Sequence, residues 1–125
     1  YWVVFDKDDF SNTDFNEAIR LAEANGFQVA YSNQAFEYWF LLHFNAYSGY
    51  IHRGDYEQLL SRQMKTKYSK KDSFTARIYG LLLPYQPDAI ARARKILADF
   101  GDTPPSLAVS STTVFKLVEA LNRFL

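Results

Sequence analysis

Apolar residues run unbroken from Tyr1 to Phe5 (YWVVF) and return in Phe27 to Tyr31 (FQVAY). The first run predicts a strand buried on both faces, the second a further short strand. Between them Phe15, Ala18, Ile19 and Ala22 recur at i, i+3, i+4 and i+7, the stripe of an amphipathic helix. Asp14 as N-cap, with Glu17 three residues on, predicts a capping box, and Gly26 a C-terminal stop. Strand, helix and strand in so short a span are the size of one βαβ unit, whose strands run parallel.

Helical patterning dominates the rest of the chain. Ser32 or Asn33 is placed to cap a helix through AFEYWFLLHF, apolar almost all round and so expected to be largely buried. Asn45 to Gly54 reads as a loop. Asp55 to Met64 reads as a helix with Tyr56, Leu59 and Leu60 inward, and Lys65 to Lys71 as a basic polar segment. Ser73 to Leu83 is helical, with Phe74, Ile78, Leu81 and Leu82 apolar. Pro84 and Pro87 break it; Pro87 suits the first turn of the next helix, which Gly101 stops. Thr103 to Ser106 is a Pro-Pro linker. Ser111 or Thr112 caps a last helix with Val114, Leu117, Val118 and Leu121 as its stripe.

This order defines an α/β fold in one domain over 1–125, with a parallel sheet core in 1–45 and a helical part in 46–125. Two parallel strands are not a viable sheet alone. Either helices cover them closely or further strands complete the sheet. A chain opening at Tyr1, inside a buried strand, reads as an excised piece or as one that has lost an N-terminal part. Such a strand leaves an apolar edge open, and pairing with a second copy, a homo-oligomer, is expected there.

At 125 residues the chain suits one domain, and its 48% hydrophobic and 18% aromatic content excludes a disordered tail. No apolar run approaches the roughly 20 residues of a membrane span, so no membrane partner is expected. Cysteine is absent, which removes disulfides, thiolate metal sites and a cysteine nucleophile. No basic segment precedes the apolar opening, as a signal peptide would require, and a cytoplasmic location is expected. The net charge of zero hides an asymmetry: residues 1–37 carry seven acidic and two basic side chains, residues 38–125 seven and twelve. An acidic and a basic pole suit a cation site beside a phosphate-binding surface, or simply a dipolar, solvated one.

The chemistry concentrates in Phe5-Asp6-Lys7-Asp8-Asp9. Ligands bind at the carboxyl ends of strands in open α/β sheets. If the strand geometry continues, Asp6 and Asp8 point to one side and Lys7 and Asp9 to the other. Two carboxylates on one side suit a magnesium ion, which keeps several waters; an acidic turn leading into the next helix fits the pattern equally. Glu37, in the first turn of an apolar helix, is a candidate third ligand or supporting base, or else a solvent-facing complement to the helix dipole. His43 reads as a satisfied core or half-exposed residue and His52 as a loop residue, each with a catalytic role as the lesser alternative. No HxxxH or HExxH spacing supports zinc, and no Gly-rich loop supports a nucleotide fingerprint. Arg62, Lys65, Lys67, Lys70 and Lys71, with Tyr68 among them, suit a nucleic-acid backbone, or a solvated helix end.

Taken together, WVVFDKDDF, AIRLAEANGFQVAYSN, AFEYWFLLHF, Lys67-Tyr68-Ser69-Lys70, AIARARK and SSTTVFKLVEAL resemble, in order and along the whole chain, the RloB-like proteins. The resemblance implies a Toprim-like core, truncated here, with a helical C-terminal half. It further implies a partner ATPase of the RloA type and a place among prokaryotic phage-defence, or abortive-infection, genes. Asp6-Lys7-Asp8 matches the DxD pair that binds magnesium (or manganese) in Toprim domains. The early Glu of those domains has no match, so these residues alone are expected to be inactive. Proline, usual in the family after SN and before STTV, is replaced by Gln34 and Ser110. The implied function is that of a metal-dependent nuclease or nuclease-like effector. Asp6, Asp8 and Glu37 would be its catalytic residues, Asp6 and Asp8 would hold the metal, and Lys65, Lys67, Lys70 and Lys71 would contact nucleic acid. The alternative is a non-catalytic module that docks a partner ATPase through its aromatic-rich helices.

Overall fold

Both strands form, each one residue further on than the apolar runs: β1 (Trp2–Asp6) and β2 (Gln28–Ser32). They pair parallel in the register Trp2 to Gln28 through Asp6 to Ser32. The shift arises because Lys7 N continues the ladder to Ser32 O (3.0 Å), so the polar ends are drawn in, while Tyr1 and Phe27 stay exposed. A computed structural model describes residues 1–47, 49, 51–65, 68 and 72–124, for 72–75 the backbone alone.

β1 is not buried on both faces, for Val4 is 48% exposed. One face of the sheet is covered by α1 (Asn12–Ala24), where Phe15, Ile19 and Tyr31 are buried with Phe5 and Val29 against them. Their rings meet edge to face, Phe5–Phe15 at 5.8 Å and Phe15–Tyr31 at 5.6 Å. Among the described residues the outer edge of β1 has no partner strand. The other edge of β2 does have cover. Ser32 bridges antiparallel to Thr112, Asn33 N donates to Ser111 O (2.9 Å) and Thr113 N to Tyr31 O (2.8 Å).

α1 starts earlier than expected. Ser11, not Asp14, is its N-cap, and the Ser11 hydroxyl accepts from Asp14 N at 3.1 Å. Glu17 pairs with Arg20 instead of closing a capping box. Gly26 follows the C-cap at φ 84, as the stop requires.

The helix expected through AFEYWFLLHF is short: α2 spans Glu37–Leu41 and has no side-chain cap. Ser32 and Asn33 are occupied elsewhere, Ser32 with Thr112 (2.8 Å) and Asn33 with the Pro105 and Ser106 carbonyls (3.0 and 3.2 Å). Gln34 at φ 77 then keeps helical geometry from starting sooner. Its expected burial holds: Tyr38, Trp39, Leu41 and Leu42 are at the centre of the main core.

The remaining helices are α3 (Tyr56–Met64), α4 (Asp72–Leu82), α5 (Gln86–Phe100) and α6 (Val114–Asn122). They supply Tyr56, Leu60, Ile78, Leu82, Ala89, Ala93, Ile96, Val114 and Phe115 to the same core. Leu121, on the expected stripe of α6, is exposed, as is the apolar Leu81 of α4, and the Phe74 side chain lies outside the described residues. Pro87 sits in the first turn of α5, and Gly101 ends it at φ 56. Pro105–Leu107 is a 3-10 turn rather than a bare linker; Asn16 on α1 clamps it, donating to Ser106 Oγ (2.9 Å) and accepting from Ser106 N (3.0 Å). Ser111 and Thr112 do not occupy the N-cap of α6, which is Thr113. Gln34 and Ser110 both take positive φ, 77 and 52, which proline cannot adopt. No helix among the described residues is long and apolar enough to cross a membrane.

Candidate functional site

The carboxyl end of β1, the start of α2 and the turn into α3 enclose a cleft of about 450 Å³. Asp6, Asp8, Glu37 and Glu57 line it, with Arg53 and Tyr56. Four carboxylates thus face one guanidinium at the sheet edge where parallel strands present ligands. Asp6, Asp8 and Glu37 are the three acidic residues expected from the sequence, and they come together here.

They do so by another route than simple alternation. β1 ends at Asp6; Asp8 turns into the left-handed region at φ 45, and its N–H donates to Gln34 O at 2.8 Å. Asp9 lines a neighbouring cleft with Lys7, as alternation predicts, yet stays linked to this group through Arg53. Its Oδ1 accepts from Arg53 Nη2 at 2.7 Å, and Arg53 Nε lies 3.8 Å from Asp8 Oδ1. The bond to Arg53, with its charge, holds the Asp9 carboxyl below the usual carboxylate range.

Gln34 fixes the arrangement from beneath. Only 6% exposed, it donates through Nε2 to Ile51 O (2.6 Å) and accepts at Oε1 from Arg53 N (2.9 Å). The loop before α3 is thereby tied to the turn after β1.

Glu37 opens α2 at the cleft. The Tyr68 hydroxyl stands 3.5 Å from its Oε1, at the outer limit of a hydrogen bond. Tyr68 is buried, and burial, followed by the Glu37 charge, pushes its hydroxyl pKa well up. Tyr68 is thus a core residue and no stacking platform. Of the basic cluster, Lys65 is exposed in the left-handed C-cap of α3, whereas Lys67, Lys70 and Lys71 lie outside the described residues.

His43 is in the core, its Nδ1 3.0 Å from Trp39 O. His52 is exposed, and its Nδ1 accepts from Gly54 N at 3.0 Å, so the neutral ring carries its proton on Nε2.

The donor set tests what cation this cleft could hold. No three His, Cys, Asp or Glu among the described residues are grouped closely enough to form a metal cage. Carboxylate oxygens alone line the cleft as anionic donors. That set fits a hard, hydrated ion held by one or two carboxylates, the habit of magnesium, and does not fit zinc.

Sequence reasoning passed over Arg53, Gln34 and Glu57. Arg53 did carry a signal: it is the sole Lys or Arg between Arg20 and Arg62. Gln34 stood out only as a replacement of the family's usual proline; its role depends on a left-handed backbone and a loop 17 residues away.

Fold and cleft together define an α/β protein with an acidic site at the ends of its parallel strands. The family model of the RloB-like proteins matches residues 1–121. The chain belongs to the RloB-like protein family. Nothing among curated proteins, and nothing among solved structures, matches it.

Proposed function

We propose that this chain is part of a magnesium- or manganese-dependent nuclease, Toprim-like in its sheet core, that serves prokaryotic phage defence. The observation that carries this reading is the convergence of Asp6, Asp8 and Glu37 on one cleft, joined there by Glu57. Asp6 and Asp8 hold the metal, and Glu37 supports it or takes a proton from water. When bound, the ion polarises a phosphate ester and lowers the pKa of water. Lys65, Lys67, Lys70 and Lys71 hold the nucleic-acid backbone.

Paramagnetic broadening during a manganese titration tests the metal assignment. Broadening should centre on Asp6 and Asp8, and Asp6→Asn should weaken it at least tenfold. In the full-length gene product Asp6→Asn should abolish cleavage and leave nucleic-acid binding intact. Broadening centred elsewhere removes the assignment.

A second reading, docking of an RloA-type ATPase, draws on exposed apolar residues. Tyr79, Leu81, Leu83 and Tyr85 are each more than two-fifths exposed, on α4 and the 3-10 turn after it. Exposed apolar surface of this kind marks interaction sites. Tyr79→Ser with Leu83→Ser should release the ATPase in a pull-down and leave manganese binding unchanged.

A further inference from the structure

A guanidinium from the loop before α3 pairs with the acidic turn. Arg53 Nη2 is 2.7 Å from Asp9 Oδ1, and Arg53 Nε is 3.8 Å from Asp8 Oδ1. The arginine side chain is 28% exposed, against 51% for Asp8 and 90% for Asp9. A pair between freely moving surface side chains would be held weakly. This one is mounted on a buried support. Gln34 O takes the N–H of Asp8 (2.8 Å), Gln34 Oε1 takes the N–H of Arg53 (2.9 Å), and Gln34 Nε2 binds Ile51 O (2.6 Å). One residue, itself 6% exposed, therefore sets the backbone at both ends of the Asp8–Arg53 pair. Asp8 and Arg53 also line the same cleft as Asp6 and Glu37.

A divalent cation entering that cleft draws on the Asp8 carboxylate that Arg53 already faces. We propose that Arg53 is a built-in counter-ion that competes with the metal for Asp8. Metal entry then draws Asp8 away from the Nε edge of the guanidinium, which stays anchored through Nη2 on Asp9, and that edge turns to a phosphate group of the substrate. This rests on the metal-dependent nuclease reading and adds the regulation of its site. The chemistry suits the exchange. A guanidinium presents a planar fork of N–H donors that matches carboxylate and phosphate oxygens alike. With Asp8 neutralised by the metal, a phosphate is the better partner for the Nε edge, while Nη2 keeps its bond to Asp9. Metal and phosphate ligand must then each tighten the binding of the other, by the same factor.

Free manganese measured by electron paramagnetic resonance, with and without a single-stranded dT8 oligonucleotide, tests this. Without oligonucleotide, Arg53→Gln should bind manganese about two- to fivefold more tightly than the parent, the size of an exposed ion pair. With oligonucleotide, the parent should gain about fivefold or more in manganese affinity, and Arg53→Gln should gain little. Arg53→Lys keeps the charge but loses the fork; it should bind manganese as the parent does and lose most of the oligonucleotide effect. That variant keeps the test open should Arg53→Gln not fold. Lys7→Gln removes a charge from the same turn, where Lys7 Nζ donates to Phe10 O (2.9 Å). Equal tightening in Lys7→Gln would show a general field effect and overturn direct competition. Unchanged or weaker manganese binding in Arg53→Gln overturns it as well. A parent chain that binds no manganese overturns the metal reading itself, which is a different result.

Discussion

His43 shows how much one buried polar residue can report. It is 3% exposed, its ring meets Trp39 edge to face at 4.9 Å, and Arg92 lies near enough to add a repelling charge. The Trp39 carbonyl can only accept, so the neutral ring carries its proton on Nδ1. Burial lowers the pKa of His43 below the ordinary value of 6.5. The unfolded chain therefore binds the extra proton first as pH falls. His43 contributes its full stability above about pH 6.5 and loses it as pH drops toward the lowered folded value, with a slope of at most about 1.4 kcal/mol per pH unit. Urea midpoints between pH 7 and 5 should fall more steeply for the parent than for His43→Gln; parallel curves would deny the shift. The chemistry of this residue was legible, since a lone His in an apolar run reads as core. That Asp6, Asp8 and Glu37 share one cleft was legible from their places, the first two where an apolar strand ends and the third where an apolar helix begins. Gln34 was not, because no local pattern marks a side chain that works only through a loop brought in by the fold.

At the level of elements, caps and pairings separate what local sequence decides from what it leaves open. The stretch Ser11-Asn12-Thr13-Asp14 offers four residue types that cap helices or tolerate turns. Pattern alone could not choose among them; the backbone at Ser11 does, with φ −62 and ψ 156. Ser11→Ala should therefore cost about 1 kcal/mol in denaturant unfolding. Asp14→Ala loses only a charge in the first helical turn and should cost less, about 0.3–1 kcal/mol. The reverse order would restore Asp14 as the cap. The Ser111–Thr113 segment was harder to read, since its partner strand lies about 80 residues earlier. Thr112 Oγ1 meets Ser32 Oγ (2.8 Å), Tyr31 O (3.2 Å) and Val114 N (3.2 Å), all buried. Thr112→Val keeps the shape and strips these bonds, which should cost about 1–3 kcal/mol. A change within about 0.5 kcal/mol would mean that Ser32 and the carbonyl find water instead.

Across the whole molecule the first third of the chain and the remainder meet at one cleft. The acidic first third supplies Asp6, Asp8 and Glu37, and the remainder supplies Glu57 and Arg53 to the same cleft. The buried Tyr68 stands 3.5 Å from Glu37 at that site. If the proposed nuclease reading holds, metal and phosphate have to meet, and the lysines that flank Tyr68 in the sequence are the candidates for backbone contacts. Such contacts act through released counterions and ignore sequence. Changing Lys65, Lys67, Lys70 and Lys71 to Ala should weaken binding to all oligonucleotides alike, and more at low salt than at high. Each lost contact should reduce the magnitude of the salt slope of log affinity by about one. Fluorescence anisotropy at several salt concentrations reads both effects. Binding without salt dependence, or a four-Ala variant as tight as the parent, would remove nucleic acid from this segment. The proposed metal assignment would remain open to its own test, because the carboxylates proposed for it, Asp6 and Asp8, are separate from those lysines.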